Sequence, residues 1–589
     1  MGDGTGSEAV EQGARLAAAA GLSAPVGRIL WARGYRDAGA VQRFLEPRLD
    51  QLPDPFGLKG IEAAVARLQR ALAQREAICV YGDYDVDGVT STVLLVSVLR
   101  KLGGVVDFYV PQRLIEGYGL NTSAMEKLAR RGTRLVVSAD CGVTAVAEVD
   151  AAARLGMDVV VIDHHTASQD LPRAVAILNP HQPGCSFPGR ELAAVGVAFH
   201  LLLALRKRLR EAGWFTAERP EPNLREQLDL VALGTIADVV PLTGANRILV
   251  HFGLKELAKG ARPGVLALKA VAQLAGEITA GDVGFKLGPR INAAGRLDDA
   301  SVGVRLLLCE DLREARGLAE QLDRANAERQ ELQARIVTEA IEMAALLGTP
   351  EQRRSLVVSS TGWHAGVVGI VAARLVEKFH RPALVLAEED GVAKGSGRSV
   401  EGFHLYDALA RCSRHLTRFG GHQHAAGVTL DTSKIAAFTE ALESEARSKL
   451  DPAQLSPRLR IDAELRPSEI GMRLAEQLQR LAPFGAGNPE PVFLCSELTA
   501  YEVRLLPDKK GIGPGHLKLK LGGPGGRGLD DARGSGVADV DGPEFDAIGF
   551  SLGGTALPVG ARLDAAFQLS IDTWNGADRL QLKLKDLKV

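Results

Sequence analysis

From Ala77 onward, short apolar runs alternate with longer stretches of helical spacing. Ile78-Cys79-Val80-Tyr81 is followed by Thr90 to Leu102, Val105 to Val110 by Ala124 to Arg130, and Leu135 to Ser138 by Ala145 to Leu155, before Val159 to Ile162 closes the series. This order predicts βαβ units around a mostly parallel sheet. Uninterrupted runs such as Val159-Val160-Val161-Ile162 predict strands covered on both faces. Sheets of that kind bind ligands beyond the carboxyl ends of their strands.

The pattern changes at several points. Residues 1–14 are Gly-rich and polar and are expected to be a disordered tail, with a helical segment over 15–75 and the first α/β domain over 76–310. Between Asp311 and Leu347 only Gly317 interrupts, and Leu318, Leu322, Ala325, Leu332, Ile336 and Ala340 keep helical spacing, predicting a long connecting helix over 311–347. A second α/β pattern fills 348–450, with Leu356-Val357-Val358, a helix from Val367 to Val376 and a strand from Ala383 to Leu386. After Pro452, strand-like segments (Leu459 to Leu465, His516 to Leu521, Ala547 to Phe550, Ala561 to Leu569, Leu580 to Leu587) predict an OB-like β-barrel over 451–589. The Gly- and Asp-rich stretch 522–542 reads as a flexible insertion in it.

Composition narrows the class. The chain has 589 residues, 46% of them hydrophobic, enough for three or four domains. A net charge of −2 excludes a basic nucleic-acid coat protein, so any DNA contact must come from a few local arginines. The six cysteines (Cys79, Cys141, Cys185, Cys309, Cys412, Cys495) form no C-x-x-C pair and no zinc-spaced cluster. The N-terminus carries no signal-peptide pattern, and the apolar stretch Ala193 to Leu205 is too short to span a bilayer. A soluble cytoplasmic monomer is expected.

Candidate chemistry gathers at predicted strand ends. Asp83-Tyr84-Asp85-Val86-Asp87-Gly88 follows one strand directly, and carboxylates at alternate positions can converge on a hard cation. An EF-hand loop begins with the same spacing, but its twelfth position would be Leu94, where a bidentate Glu is required, and a strand precedes the motif where a helix should. Capping of the next helix would explain one of the three aspartates. Asp140 follows a second strand, where it can equally be a helix cap. Asp163-His164-His165 ends a third, and an aspartate can orient an imidazole by accepting its other N–H. Asp238 follows the apolar segment beginning at Ala232. Carboxylates and imidazole without thiolate favour Mn²⁺ or Mg²⁺ over zinc. Five or more ligands suit a pair of ions about 3.5–4 Å apart and phosphoester hydrolysis.

These residues resemble the DHH phosphoesterase superfamily and, over nearly the whole chain, its single-strand-specific 5′→3′ exonucleases. The matching pieces are Tyr81 to Gly88, Glu116 to Asn121, Asp163-His164-His165, Ala232 to Leu242, Pro289 to Leu297, Trp363 to Gly366, Gly420 to His422 and Pro483 to Phe493. The resemblance implies two ions held by Asp85, Asp87, Asp140, His164 and Asp238, with Asp83 and Asp163 in supporting roles and His165 beside the scissile phosphate. It further implies that Arg113 binds phosphate and Tyr118 stacks a base. Arg290, Asn292 and Arg296 would hold phosphate oxygens from a Gly-rich turn. In the second, DHH-associated domain it gives substrate contacts to His364, Ser396, Arg398, Gly420, Gly421 and His422, with Ser396 and Arg398 anchoring a 5′-terminal phosphate. It implies DNA repair and recombination as the setting, with a helicase and a single-strand-binding protein as partners.

Two other readings compete. A phosphodiesterase for short oligonucleotides or cyclic dinucleotides, or a pyrophosphatase, needs only the two α/β domains. A catalytically dead replication scaffold lacks the ligands that this chain retains.

Overall fold

The computed structural model describes residues 7–112, 116–117, 119–297, 299–508, 514–523, 543–574 and 577–589. Five parallel strands form the first sheet: β1 (Ala77–Gly82), β2 (Val105–Tyr109), β3 (Leu135–Ala139), β4 (Asp158–Ile162) and β5 (Ala176–Leu178), in the order β2-β1-β3-β4-β5. Every residue of β3 is buried, as an apolar run covered on both faces requires. The chain leaves β1 toward β2 on one side and returns to β3 on the other, so the topology switches between β1 and β3. At such a point the strand ends open a crevice. Helices Val86–Lys101 and Ala194–Glu211 are largely buried against the sheet, and helix Leu228–Ala237 is buried along nearly its whole length.

Helix Leu312–Ala345 has 34 residues, about 51 Å at 1.5 Å per residue. Asp311 caps it by accepting from the backbone N–H groups of Arg313 and Glu314, both at 2.9 Å. Its Ala315, Ala319 and Leu322 lie in the core of the first domain, and its Ile336, Ala340 and Ala344 in the core of the second. The helix therefore bridges two cores. The second sheet joins β6 (Leu356–Thr361), β7 (Ala383–Glu389), β8 (Val392–Arg398), β9 (Arg418–Gly421) and β10 (Ala425–Asp431) in the order β6-β7-β8-β10-β9, antiparallel except for β6 with β7.

The C-terminal sheet closes on itself. Strands β12 (Phe493–Leu506), β13 (His516–Gly522), β14 (Glu544–Gly549), β15 (Arg562–Trp574) and β16 (Ala577–Lys588) form the ring β12-β13-β14-β16-β15-β12, with the two-residue β11 (Ala463–Glu464) added beside β12. Closure removes free strand edges.

Four expectations change. Residues 7–14, expected in a disordered tail, belong to helix Ser7–Ala20, whose Leu16 and Ala17 are buried. The segment 15–75 is not one unit: Val26, Ile29, Leu30 and Phe44 pack into the barrel core with Phe493 and Phe567, whereas helix Ile61–Gln74 packs on the first sheet. Residues Pro289 to Leu297 are helical, within Gly288–Leu297, because interior glycines weaken a helix without forbidding it. The expected strand Leu459 to Leu465 reduces to Ala463–Glu464. The insertion 522–542 lies outside the described residues apart from Gly522, which ends β13, and Gly523.

Candidate metal centre

Asp83 is buried just past β1. Asp85 caps helix Val86–Lys101, accepting from Gly88 N–H at 3.0 Å. Asp87, in that helix's first turn, reaches across to the start of helix Ala194–Glu211, accepting from the N–H groups of Ala194 (2.7 Å) and Val195 (2.9 Å). Those are N–H groups with no partner inside their own helix, so a carboxylate suits them. Asp140 follows β3 with φ +66°, a left-handed conformation that Asp and Asn tolerate better than most residues. Asp163 follows β4 and accepts from Val143 N–H (2.9 Å), His164 N–H (2.8 Å), His165 N–H (3.0 Å) and the His165 ring Nδ1 (2.8 Å). Asp238 stands at the C-terminal end of helix Leu228–Ala237.

The side chains converge. His164 Nε2 lies 3.2 Å from Asp140 Oδ1, 3.5 Å from Asp238 Oδ2 and 3.9 Å from Asp87 Oδ2. Ligand atoms of Asp83, Asp85 and Asp140 fall within 4.8 Å of one another, as do those of Asp87, His164 and Asp238 and those of Asp140, His164 and His165. Asp140 is common to the first and third of these groups, and its Oδ1 lies 3.2 Å from the His164 Nε2 of the second, so it could serve cations on either side. Asp83, given only a supporting role by the resemblance, stands among the possible ligands.

The electrostatics fit bound cations. Burial, then Asp85, pushes Asp87 up to about 7. Burial, then Asp87 and Asp85, pushes Asp238 up to about 8, and burial with Asp85 and Asp87 raises Asp140 well above the carboxylate range. Like charges packed away from water are costly unless a cation compensates them. His164 Nε2 and Asp238 Oδ2 are buried yet make no hydrogen bond within the protein. Burial, then the charge of His165, lowers His164 to about 4, leaving the neutral imidazole that ligates metals. His165 goes the other way: burial opposes its charge, but the Asp163 hydrogen bond and nearby carboxylates raise it to about 9. Cys141 beside Asp140 is held protonated by burial and the aspartates, so the donor set remains oxygen and imidazole, suited to Mn²⁺ or Mg²⁺.

The second domain faces this cluster. The ring of His422, just past β9, lies 6.5 Å from that of His165, tilted by 14°. Gly421 has φ +142°, and a Cβ there would meet the Ala425 carbonyl oxygen at 2.4 Å, so glycine is required where the chain turns back into β10. Gly420 precedes it in β9. Ser396 and Arg398 lie in strand β8 rather than in a loop, and Arg398 Nη1 donates to Ser396 Oγ at 3.0 Å. A Cβ on Gly369 would lie 3.0 Å from Ser396 Oγ and 3.4 Å from Arg398 Nη2, so the start of helix Val368–Phe379 rests against both. Hydroxyl, guanidinium and helix N-terminus together suit an anion. His364 Nδ1 accepts from Gly366 N–H at 3.1 Å in the turn leading to that helix.

The residues placed in a Gly-rich turn sit instead on a helix, and Arg290 and Asn292 make protein contacts. Arg290 Nε pairs with Asp323 of the long connecting helix at 2.8 Å and its Nη1 donates to Lys286 O at 2.7 Å, which ties the first domain to that helix. Asn292 Oδ1 accepts from Val86 N–H at 3.1 Å and so positions the helix bearing Asp87. Arg113, Tyr118 and the Arg296 side chain lie outside the described residues. Beside the former two, Glu116 accepts from Tyr109 Oη (2.6 Å) and Gln112 N–H (2.9 Å). Sequence reasoning missed Asn179, fully buried just past β5, whose Nδ2 donates to His165 O at 2.9 Å. The strand-end rule applied to β5 would have found it.

A cluster of carboxylates and imidazole at the switch point of a parallel sheet, facing an anion-suited second domain, defines a metallophosphoesterase of DHH type. Family models agree: the DHH family N-terminal domain matches residues 77–235, the DHHA1 domain residues 353–448, and the RecJ OB domain residues 461–532 and 535–586. The single-stranded-DNA-specific exonuclease RecJ of Dickeya dadantii (strain 3937) is 42% identical over 96% of this chain and 96% of its own length. That of Escherichia coli (strain K12) is 40% identical over 95% of each. A crystal structure of RecJ in complex with Mn²⁺ from Thermus thermophilus matches with a TM-score of 0.80 at 32% identity, covering 98% of this chain and 78% of that one. The chain belongs to the RecJ family.

Proposed function

We propose that this chain is a metal-dependent exonuclease that degrades single-stranded DNA from the 5′ end and releases nucleoside 5′-monophosphates. The observation that carries the reading is the pair of adjacent ligand groups, Asp83 with Asp85 and Asp140, and Asp87 with His164 and Asp238, in which Asp140 Oδ1 of the first lies 3.2 Å from His164 Nε2 of the second, opposite His422. Asp83, Asp85 and Asp140 would hold one Mn²⁺ or Mg²⁺, and Asp87, His164 and Asp238, with Asp140 shared, the other. When bound, two such ions supply Lewis acidity that activates a water and neutralises the phosphate in an in-line displacement.

The chain's own residues do the rest. Asp163 keeps His165 cationic and oriented through Nδ1, so that the other ring nitrogen can donate to a phosphate oxygen. The backbone bonds to Ala194 and Val195 hold Asp87 in place. Ser396 and Arg398, in β8 against the start of helix Val368–Phe379, anchor the 5′-phosphate. The barrel guides the remaining strand by stacking and charge. A cleft between two sheets admits one strand more readily than a duplex. A helicase and a single-strand-binding protein as partners follow from that need, with a monomer in the cytoplasm as the working form. No described helix is long and apolar enough to cross a membrane.

The test is a nuclease assay on 5′-phosphorylated single strands, 3′-blocked single strands and duplexes, with and without Mn²⁺. Metal-dependent mononucleotide release from both single strands, with duplex spared, is expected. Release that a 3′ block abolishes, or that persists with chelator, contradicts the reading.

A further inference from the structure

The segment Pro483 to Phe493 has no part in the chemistry above, yet its loop meets the turn that carries Asp238. That turn is built under tension. Asp238 ends helix Leu228–Ala237 with its N–H on Gly234 O (2.9 Å), and the next residue, Val239, is a β-branched side chain at φ +62° and 69% exposed. Such a conformation persists only where the surroundings impose it. From inside the first domain, Asn246 Nδ2 donates to Pro241 O at 3.0 Å. From outside, the 481–491 loop does the rest. Ala486 O accepts from Leu242 N–H at 2.7 Å. Gly487, at φ +70°, lies so close that a Cβ would stand 2.9 Å from Pro241 Cβ.

The loop is itself rigid. Asn488 is buried and spans it, with Nδ2 donating to Leu481 O and Pro483 O, both at 2.8 Å, while its backbone pairs reciprocally with Gly485 (3.0 and 3.1 Å). Arg33 from the N-terminal helices donates to Asn488 Oδ1. Arg247 returns from helix Gly244–Lys259, which starts just past the Asp238 turn, with Nη1 on Leu481 O (2.8 Å) and Nε on Phe44 O (2.8 Å). First domain, N-terminal helices and barrel entrance therefore share one buried polar knot.

We infer that the 481–491 loop, through Gly487 and Asn488, is a positioning element for Asp238, holding the turn in the one conformation that places its carboxylate beside His164. The inference rests on the assignment of Asp238 as a metal ligand. Outer groups that orient ligands typically govern affinity by about 10- to 100-fold, and the loop does so across a domain boundary.

The experiment titrates Mn²⁺ into full-length protein, following free Mn²⁺ by electron paramagnetic resonance, for the parent, Asp238→Asn, Gly487→Ala and Asn488→Ala, with nuclease rates at saturating Mn²⁺. Asp238→Asn is expected to weaken one of two ions and to lower the rate. Gly487→Ala and Asn488→Ala are expected to weaken the same ion by about 10- to 100-fold, with kcat returning to within a few-fold of the parent once Mn²⁺ saturates. If Asp238→Asn weakens an ion and a folded Gly487→Ala does not, the positioning role is overturned while the ligand assignment stands. If Asp238→Asn leaves both ions unchanged, the ligand assignment fails and the inference with it. Should Asn488→Ala fail to fold, Gly487→Ala alone decides.

Discussion

The carboxyl edge of the first sheet and strand β8 of the second are built on opposite principles. The first packs Asp83, Asp87, Asp140 and Asp163 out of water, each almost wholly buried, and burial with neighbouring carboxylates raises Asp87 to about 7, Asp238 to about 8 and Asp140 well above the ordinary carboxylate range. The second presents a hydroxyl, a guanidinium and a helix start from Ser396, Arg398 and Gly369. The first gathers carboxylates whose ionised forms a bound cation would stabilise, and the second offers donors to an anion. In the proposed reaction, a phosphodiester with a terminal phosphate would draw on both.

The sharpest way to break that division is Asp140→Asn, which keeps a side chain that tolerates φ +66° and removes the charge common to two ligand groups. Turnover is expected to fall by about 10³-fold or more, as loss of several kcal/mol of metal stabilisation implies, measured as kcat at saturating Mn²⁺. On the opposite edge, Ser396→Ala or Arg398→Ala should raise KM for 5′-phosphorylated strands by roughly 10- to 100-fold, about 1.5–3 kcal/mol for a hydrogen bond to a charged group, with kcat little changed. The same variants should discriminate less between 5′-phosphate and 5′-hydroxyl ends.

The smallest effect is on stability. Asp87 and Asp238 have folded-state values near 7 and 8, above the ordinary 3.8, so the folded protein binds their protons more tightly than the unfolded chain does. Their stabilising contribution is fully present below 3.8 and is lost as pH rises through 7 and 8. The melting temperature of metal-stripped protein should therefore fall between about pH 5 and about pH 8.5, and added Mn²⁺ should raise it more at the higher pH. A metal-induced shift equal at both pH values would contradict the buried-charge account.

The first sheet is legible in the sequence because Val-rich runs such as Val159 to Ile162 and their helical partners are periodic over many residues, and a parallel sheet fixes which end faces a ligand. The acidic cluster is legible for the same reason: Asp83, Asp140 and Asp163 each follow a strand directly. The barrel is less so. Its longest strand, Phe493–Leu506, escapes the pattern because its register shifts between Cys495 and Leu498, where Glu497 takes φ +58°, and this breaks the two-residue alternation. The helix Gly288–Leu297 reads as a turn because Gly288, Pro289 and Gly295 imitate one. The share of the N-terminal helices in the barrel core cannot be read at all, since placing Phe44 in one core with Phe567 is a contact between chain ends that no local pattern encodes.

The most direct test of the central claim is a crystal structure of the protein soaked with Mn²⁺, read by anomalous scattering at the manganese edge. Two peaks about 3.5–4 Å apart are expected, one among Asp83, Asp85 and Asp140 and the other among Asp87, His164 and Asp238, with Asp140 touching both. A single peak, or manganese bound elsewhere with this cluster left without it, would contradict the account.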